Sequence, residues 1–325
     1  MEAQVKTHFQ TLINTHINAL DLHTRLPKNL YEPMTYILSL KAKRIRPTLT
    51  LLSYQAVSGK PVAEVMNIAL AVELFHNFTL MHDDIMDRAP VRRGKPCVHI
   101  VWNEDTAILS GDALLAYSIG LVVKDAPHKA AELVSLFTDL ALGVCEGQME
   151  DMDMATESDV AIARYIEMIR KKTAVLLGGS MQLGALAAGA DPTLAQAFYE
   201  YGENLGIAFQ LQDDLMDAFP PTGFGKQIGG DIIENKQTYL LLKAFELADT
   251  HQKQALQYLM EQESDEQKKV NGVLDLFKTL EIDRITRELS QSYFEKAQKK
   301  GEELMKACNF TLIQEYLHTI INRKI

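Results

Sequence analysis

The sequence predicts an all-α fold, one domain over residues 1–325 made of roughly a dozen helices. Two observations carry this. Nearly every segment spaces its apolar residues three to four apart, the helical period. No alternating apolar–polar run lies between hairpin turns, so no strand is expected. Length alone leaves one large domain or two. The absence of any linker or low-complexity stretch favours one.

The elements follow in order. Pro47 opens a helix that Gly59 closes. The stretch from Val65 to Met81 is apolar on nearly all faces, which marks a central helix. Its C-terminal end carries Asp83, Asp84 and Asp87. A longer loop runs from about Arg88 to Asn103. The longest uncharged run, Thr173 to Ala190, is broken by Gly178, Gly179, Ser180, Gln182, Gly184 and Gly189. It reads as a tightly packed internal helix rather than a membrane span. Asp191-Pro192 reads as a cap and a first-turn proline. Tyr201 to Phe219 repeats the plan of the central helix more weakly and ends in Asp213, Asp214 and Asp217. A second long loop runs from Pro220 to about Asn235. Ser264-Asp265-Glu266-Gln267 matches a capping box. Each long loop directly follows an acidic cluster, where functional loops on rigid scaffolds are expected.

Composition narrows the class. Hydrophobic residues make up 47% and charged residues 23%, as in ordinary soluble globular proteins. A net charge of -10 argues against a nucleic-acid binder. Cys97, Cys145 and Cys308 are too scattered for a disulfide framework or a metal knuckle. They fit reduced thiols, and Met1-Glu2-Ala3-Gln4 opens no signal peptide, so a cytoplasmic protein without a transmembrane segment is expected.

The two acidic clusters both read Asp-Asp-x-x-Asp, 130 residues apart. Residues i and i+4 share a helix face, so Asp83 pairs with Asp87 and Asp213 with Asp217. Two such charges about 5 Å apart repel by roughly 3 kcal/mol at an effective dielectric of about 20. A few hard carboxylate oxygens suit Mg2+, which keeps waters and completes its shell with substrate phosphates. Basic residues lie near both clusters in the sequence: Arg92 and Arg93 after the first, Lys226 and Lys236 after the second. Lys43 and Arg46 lie upstream, and Lys172 ends another helical stretch. Six aspartates and two diphosphates carry about -12, and three Mg2+ with these seven basic side chains about +13. Such an assembly nears neutrality only when metals and both diphosphates are present, as a desolvated site requires.

Several segments together resemble the trans-isoprenyl diphosphate synthases, or polyprenyl synthetases, from about residue 30 to the C-terminus. They are Lys43-Arg44-Ile45-Arg46-Pro47, His82-Asp83-Asp84-Ile85-Met86-Asp87, Arg92-Arg93-Gly94, Gly111-Asp112, Gly147-Gln148 with Asp151, Lys172-Thr173-Ala174, Phe209-Gln210-Leu211-Gln212-Asp213-Asp214, and Gly225-Lys226 through Asp231 to Lys236. The resemblance implies the isoprenoid synthase fold, an all-α bundle around a deep central cavity, as a homodimer. It implies condensation of isopentenyl diphosphate with allylic diphosphates (dimethylallyl, geranyl, farnesyl). Three Mg2+ per active site would sit on Asp83, Asp84, Asp87, Asp213 and Asp217, and Asp214 belongs to the same catalytic group. Arg92, Lys172 and Lys226 would hold the allylic diphosphate. Lys43, Arg46, His76 and Arg93 would hold isopentenyl diphosphate, and Lys236 joins the substrate-binding set. Thr173 and Gln210 would line the reacting centre. One departure is Lys41-Ala42, where the family usually has Gly-Gly; losing close backbone approach there is expected to loosen the isopentenyl diphosphate site.

Product length should be set on the helix that carries the first cluster. From Asp83 its face runs back through Thr79 and Phe78 to Phe75. Small Thr79 with bulky Phe78 one residue deeper resembles geranylgeranyl (C20) synthases; the farnesyl (C15) product is the alternative. A terpene cyclase would need an Asn/Asp-x-x-Ser/Thr-x-x-x-Glu second motif, which Asp213 to Asp217 is not. A non-catalytic subunit of a heteromeric prenyl synthase commonly loses an Asp cluster, and both are intact here. Arg323-Lys324 would help a loop close over the site.

Overall fold

A computed structural model of the chain describes residues 2–157, 159–220 and 228–321. It is all-α, as the periodicity predicts. Contacts divide it into two compact units, each discontinuous in sequence. Among the described residues, the first comprises 2–141, 179–199 and 303–321, and the second 142–157, 159–178, 200–220 and 228–302.

The helices, in chain order, begin with α1 (Glu2–Asn18), α2 (Lys28–Ser39), α3 (Ile45–Ser58) and α4 (Met66–Met86). Gly59 ends α3 in the left-handed region at φ 67, as the proline-to-glycine reading anticipates. Every residue of α4 from Ile68 to Phe75 is buried, so this is a central helix of the first unit. It runs five residues beyond Met81, which places the first acidic cluster in and just after its last turn.

The loop after α4 holds a feature that the sequence reading does not find. β1 (Val91–Arg92) and β2 (Lys95–Pro96) pair antiparallel, with Arg92 opposite Lys95. Arg93 and Gly94 between them both take positive φ, 54 and 76. That is the two-residue turn whose twist matches a hairpin. Strands two residues long leave no alternation to detect. A short helix, α5 (Val98–Val101), completes the loop, and α6 (Glu104–Val122) follows, capped by Asn103 Oδ1 on Thr106 N at 2.8 Å.

Next come α7 (Ala130–Met154), α8 (Ile162–Ile169), a π-turn (Arg170–Ala174), α9 (Val175–Ala187) and α10 (Pro192–Ala218). Asp191 caps α10 as predicted, accepting from Thr193 N and Leu194 N at 2.9 and 3.0 Å. The chain finishes with α11 (Gly230–Ile233), α12 (Tyr239–Leu247), α13 (Thr250–Glu261), α14 (Glu266–Thr279), α15 (Ile282–Ala307) and α16 (Thr311–Ile321). The capping box expected at Ser264 is corrected. Asp265, one residue on, caps α14 by accepting from Lys268 N at 3.1 Å. A full capping box occurs instead at Asp249 and Gln252, ahead of α13.

In the second unit, Met154, Tyr165, Met168, Ile169, Ala174, Ile207 and Leu211 share one apolar cluster. This packs α8 and the π-turn onto the middle of α10. A second cluster joins Leu215 of α10 to Leu240, Leu256, Val273 and Phe277. α10 is thus fixed from both sides along the stretch that leads into the second acidic cluster.

Candidate active site

In the first unit, Asp87 N donates to Asp83 O at 2.8 Å, so the two residues stand one turn apart on the same face. Asp83 is half-buried and Asp87 exposed. Asp84 turns the other way. It is 2% exposed and accepts from Arg92 Nε at 2.6 Å. A buried carboxylate needs such a partner, and the hairpin supplies it. Arg92 is therefore tied to the helix that carries the first cluster.

The upstream basic motif is arranged by its one buried member. Arg44 sits at φ 52 just before α3, paired with Glu73 of α4 and hydrogen-bonded to Leu38 O and to Asn14 Oδ1. This buried pair anchors the start of α3, with Lys43 exposed on one side and Arg46 half-buried on the other. Ala42 O accepts from Gln10 Nε2 at 3.2 Å. Arg46 Nη1 lies 3.3 Å from His76 Nε2. Burial, then the charges of Arg46, Arg93, Arg92 and Arg44, hold the His76 imidazole well below its ordinary pKa. Burial also lowers Arg93. A neutral imidazole surrounded by guanidinium groups marks a strongly electropositive patch, suited to an anion with several charges.

Deeper on α4 lies an aromatic cluster. Phe75 is 1% exposed and packs on Phe78 at 5.6 Å and on Phe137 of α7 at 5.5 Å between ring centroids. Phe78 also meets His82 edge-on at 4.7 Å. Thr79 is half-buried, its hydroxyl turned back to His76 O at 2.9 Å.

In the second unit, α10 repeats the pattern. Asp213 is exposed, Asp217 half-buried and Asp214 only 5% exposed. Asp217 receives the start of α11, its two oxygens accepting from Gly230 N at 3.2 Å and Asp231 N at 3.0 Å. Asp214 accepts from the Tyr165 hydroxyl and from Gln210 Nε2, the latter at 3.0 Å. Gln210 Oε1 accepts from Thr173 Oγ1 at 3.1 Å. Lys172 Nζ lies 2.5 Å from Asp151 Oδ2, and Lys236 Nζ lies 2.9 Å from Glu234 Oε2 and 3.6 Å from Asp231 Oδ1.

The π-turn is what displays Lys172 and Thr173. Such turns insert one residue into a helix and recur at functional sites. Gly147 on α7 makes room for it: a Cβ there would sit 2.2 Å from Lys172 N. This accounts for Gly147, which the sequence singles out without explaining.

Burial first, and then neighbouring carboxylates, push Asp214 up to about 7 and Asp231 up to about 6. Burial also raises Asp217. Among the described residues, no three His, Cys, Asp or Glu side chains gather closely enough to hold a metal unaided. Mg2+ asks for less: one or two carboxylates, with waters and phosphate completing the octahedron. Carboxylates presented in same-face pairs on the two helices fit that ion.

Among the expected site residues, Lys226 lies outside the described residues, as does the Arg323-Lys324 tail. The first unit brings together Asp83, Asp84, Asp87, Arg92, Arg93, Arg46 and His76. The second brings together Lys172, Thr173, Gln210, Asp213, Asp214, Asp217 and Lys236. Sequence reasoning missed Glu73 and Tyr165. A glutamate inside an otherwise apolar helix was the available signal for the first. Nothing local marks the second.

The profile of the family described as polyprenyl synthetase matches residues 27–277. The chain is 42% identical over 223 residues to a geranylgeranyl diphosphate synthase of Methanosarcina mazei, covering 68% of each chain. It is 36% identical over 241 residues to a geranylfarnesyl diphosphate synthase of Natronomonas pharaonis, covering 69% of this chain and 71% of that one. The crystal structure of a geranylgeranyl pyrophosphate synthetase from Pyrococcus horikoshii superposes with a TM-score of 0.88 at 33% identity, covering 100% of this chain and 98% of that one.

Proposed function

Since the chain belongs to the polyprenyl synthetase family, we propose that it is the Mg2+-dependent prenyltransferase that joins isopentenyl diphosphate head-to-tail to allylic diphosphates, ending at geranylgeranyl diphosphate. The observation that carries this reading is the pair of helix ends, each presenting two carboxylates one turn apart. Asp83 with Asp87 and Asp213 with Asp217 would hold Mg2+, three ions per site. Asp84, buried on Arg92, would act by aiming that guanidinium. Bound Mg2+ supplies neutralisation of charge on the departing diphosphate.

The chain's own groups do the rest. Arg92, Lys172 and Lys226 hold the allylic diphosphate, and their fixed positive charge favours the state in which its carbon–oxygen bond has broken. Lys43, Arg46, His76 and Arg93 hold isopentenyl diphosphate so that its double bond faces the allylic carbon, which removes most of the entropic cost of encounter. Gln210 Oε1 and the Thr173 hydroxyl present negative dipole ends to the allylic cation. The proton lost after bond formation goes to the departing diphosphate, so no side-chain base is required.

Phe78, backed by Phe75 and Phe137, forms the floor against which the growing chain stops. The apolar face of α6 supports a homodimer. This helix is long and apolar enough to cross a membrane, yet only 39% of its apolar window is buried, and Ile108 and Leu109 are 42% and 61% exposed. A second copy of the chain would cover that face, which light scattering tests as twice 36.5 kDa.

The test of the reaction is incubation with labelled isopentenyl diphosphate and each allylic primer, followed by dephosphorylation and sizing of the alcohols. A C20 alcohol is expected. A C15 or C25 alcohol moves the floor, and no incorporation with any primer removes the reading.

A further inference from the structure

An amide side chain can stand in two orientations of nearly the same shape, related by a half-turn. For Gln210 they differ in chemistry. One presents the carbonyl oxygen beside Thr173, and the other presents an NH2 group, whose positive dipole end repels a cation. Gln210 Nε2 donates to Asp214 Oδ1 at 3.0 Å, and Thr173 Oγ1 donates to Gln210 Oε1 at 3.1 Å. Asp214 is itself held at its other oxygen by the Tyr165 hydroxyl. Both members of that pair are buried, Asp214 at 5% and Tyr165 at 2% exposure, so no solvent competes for the bond between them. Tyr165 stands on α8, Thr173 on the π-turn and the other two one turn apart on α10. The apolar cluster around Ile169, Ala174, Ile207 and Leu211 fixes all three elements against one another.

We propose that Tyr165 and Asp214 form a positioning device that locks the Gln210 amide with its carbonyl toward Thr173, so that the reacting centre always meets an oxygen and never an NH2. The inference rests on the reading of Gln210 as a group facing the allylic cation. Neither Tyr165 nor Asp214 touches substrate in this scheme; both act through Gln210. Without the tyrosine hydroxyl the carboxylate loses one of its two anchors. With Asp214→Asn the partner offers either an oxygen or an NH2, and it no longer dictates the amide's orientation.

A double-mutant cycle tests this on the full-length enzyme, with labelled isopentenyl diphosphate, farnesyl diphosphate and Mg2+. Loss of one hydrogen bond in the chain that holds the amide predicts that Tyr165→Phe lowers kcat by roughly 10-fold. KM for both substrates should stay within about twofold, because the amide acts on the cation and not on the bound substrates. In a Gln210→Leu background, which has no amide to orient, Tyr165→Phe should cost nothing further. Asp214→Asn should behave in the same way, and it replaces Tyr165→Phe if that variant does not fold. Equal kcat losses in the wild-type and Gln210→Leu backgrounds would overturn the proposal and leave the role of Gln210 standing. A rise in KM with unchanged kcat would also overturn it. Wild-type kcat in Gln210→Leu alone would remove the cation-facing reading, and the positioning device with it.

Discussion

At the scale of single residues, the two acidic clusters divide labour in the same way. In each, the first and last aspartates stay at least partly exposed and the second is buried on a partner from another element, Arg92 for Asp84 and Tyr165 for Asp214. The i, i+4 spacing makes the shared face readable from sequence alone. Which aspartate turns inward depends on what packs beside the helix, and no local pattern records that. The same division predicts how variants behave. Asp83→Ala removes a half-buried carboxylate from the end of a helix whose apolar core lies between Ile68 and Phe75. Its turnover should fall by about 100-fold or more, with the thermal midpoint shifting by no more than a few degrees. Steady-state kinetics at saturating Mg2+, beside a circular-dichroism melt, check both halves of this expectation.

At the scale of elements, long periodic stretches were legible and short special ones were not. α4 announced itself by being apolar on all sides, and α10 by its cap at Asp191. The β1–β2 hairpin is too brief to alternate, and the π-turn has no sequence signature apart from Gly147 on another helix. Both of these hidden elements carry basic residues of the candidate site, so local reasoning found the residues without the devices that aim them. The floor on α4 belongs to this scale, because it depends on rings stacked along one helix and against another. Phe78→Ala removes the ring nearest the first cluster, with Phe75 and Phe137 remaining below it. The product should lengthen beyond C20, seen as later-eluting alcohols on reversed-phase chromatography. An unchanged product would move the floor to another helix.

For the whole molecule, the raised carboxylates link stability to pH and metal. A carboxyl whose folded pKa lies above its unfolded value near 4 favours folding at low pH, and that advantage is lost as pH rises through the folded pKa. With Asp231 at about 6 and Asp214 at about 7, the loss is complete by about pH 8, where crowded negative charge opposes folding. Mg2+ with inorganic diphosphate neutralises charge that protons neutralise at lower pH. The thermal midpoint should therefore rise on adding them by more at pH 8 than at pH 6. Equal gains at both pH values would separate the raised carboxylates from the metal.

In this reading the aspartate pairs work through a divalent ion on an allylic diphosphate. Its most direct test is the transfer of label from isopentenyl diphosphate into an acid-labile product as Mg2+ is withdrawn by chelation and then restored. Incorporation should stop on chelation and return with the metal. Incorporation that continues undiminished without divalent ions would contradict it.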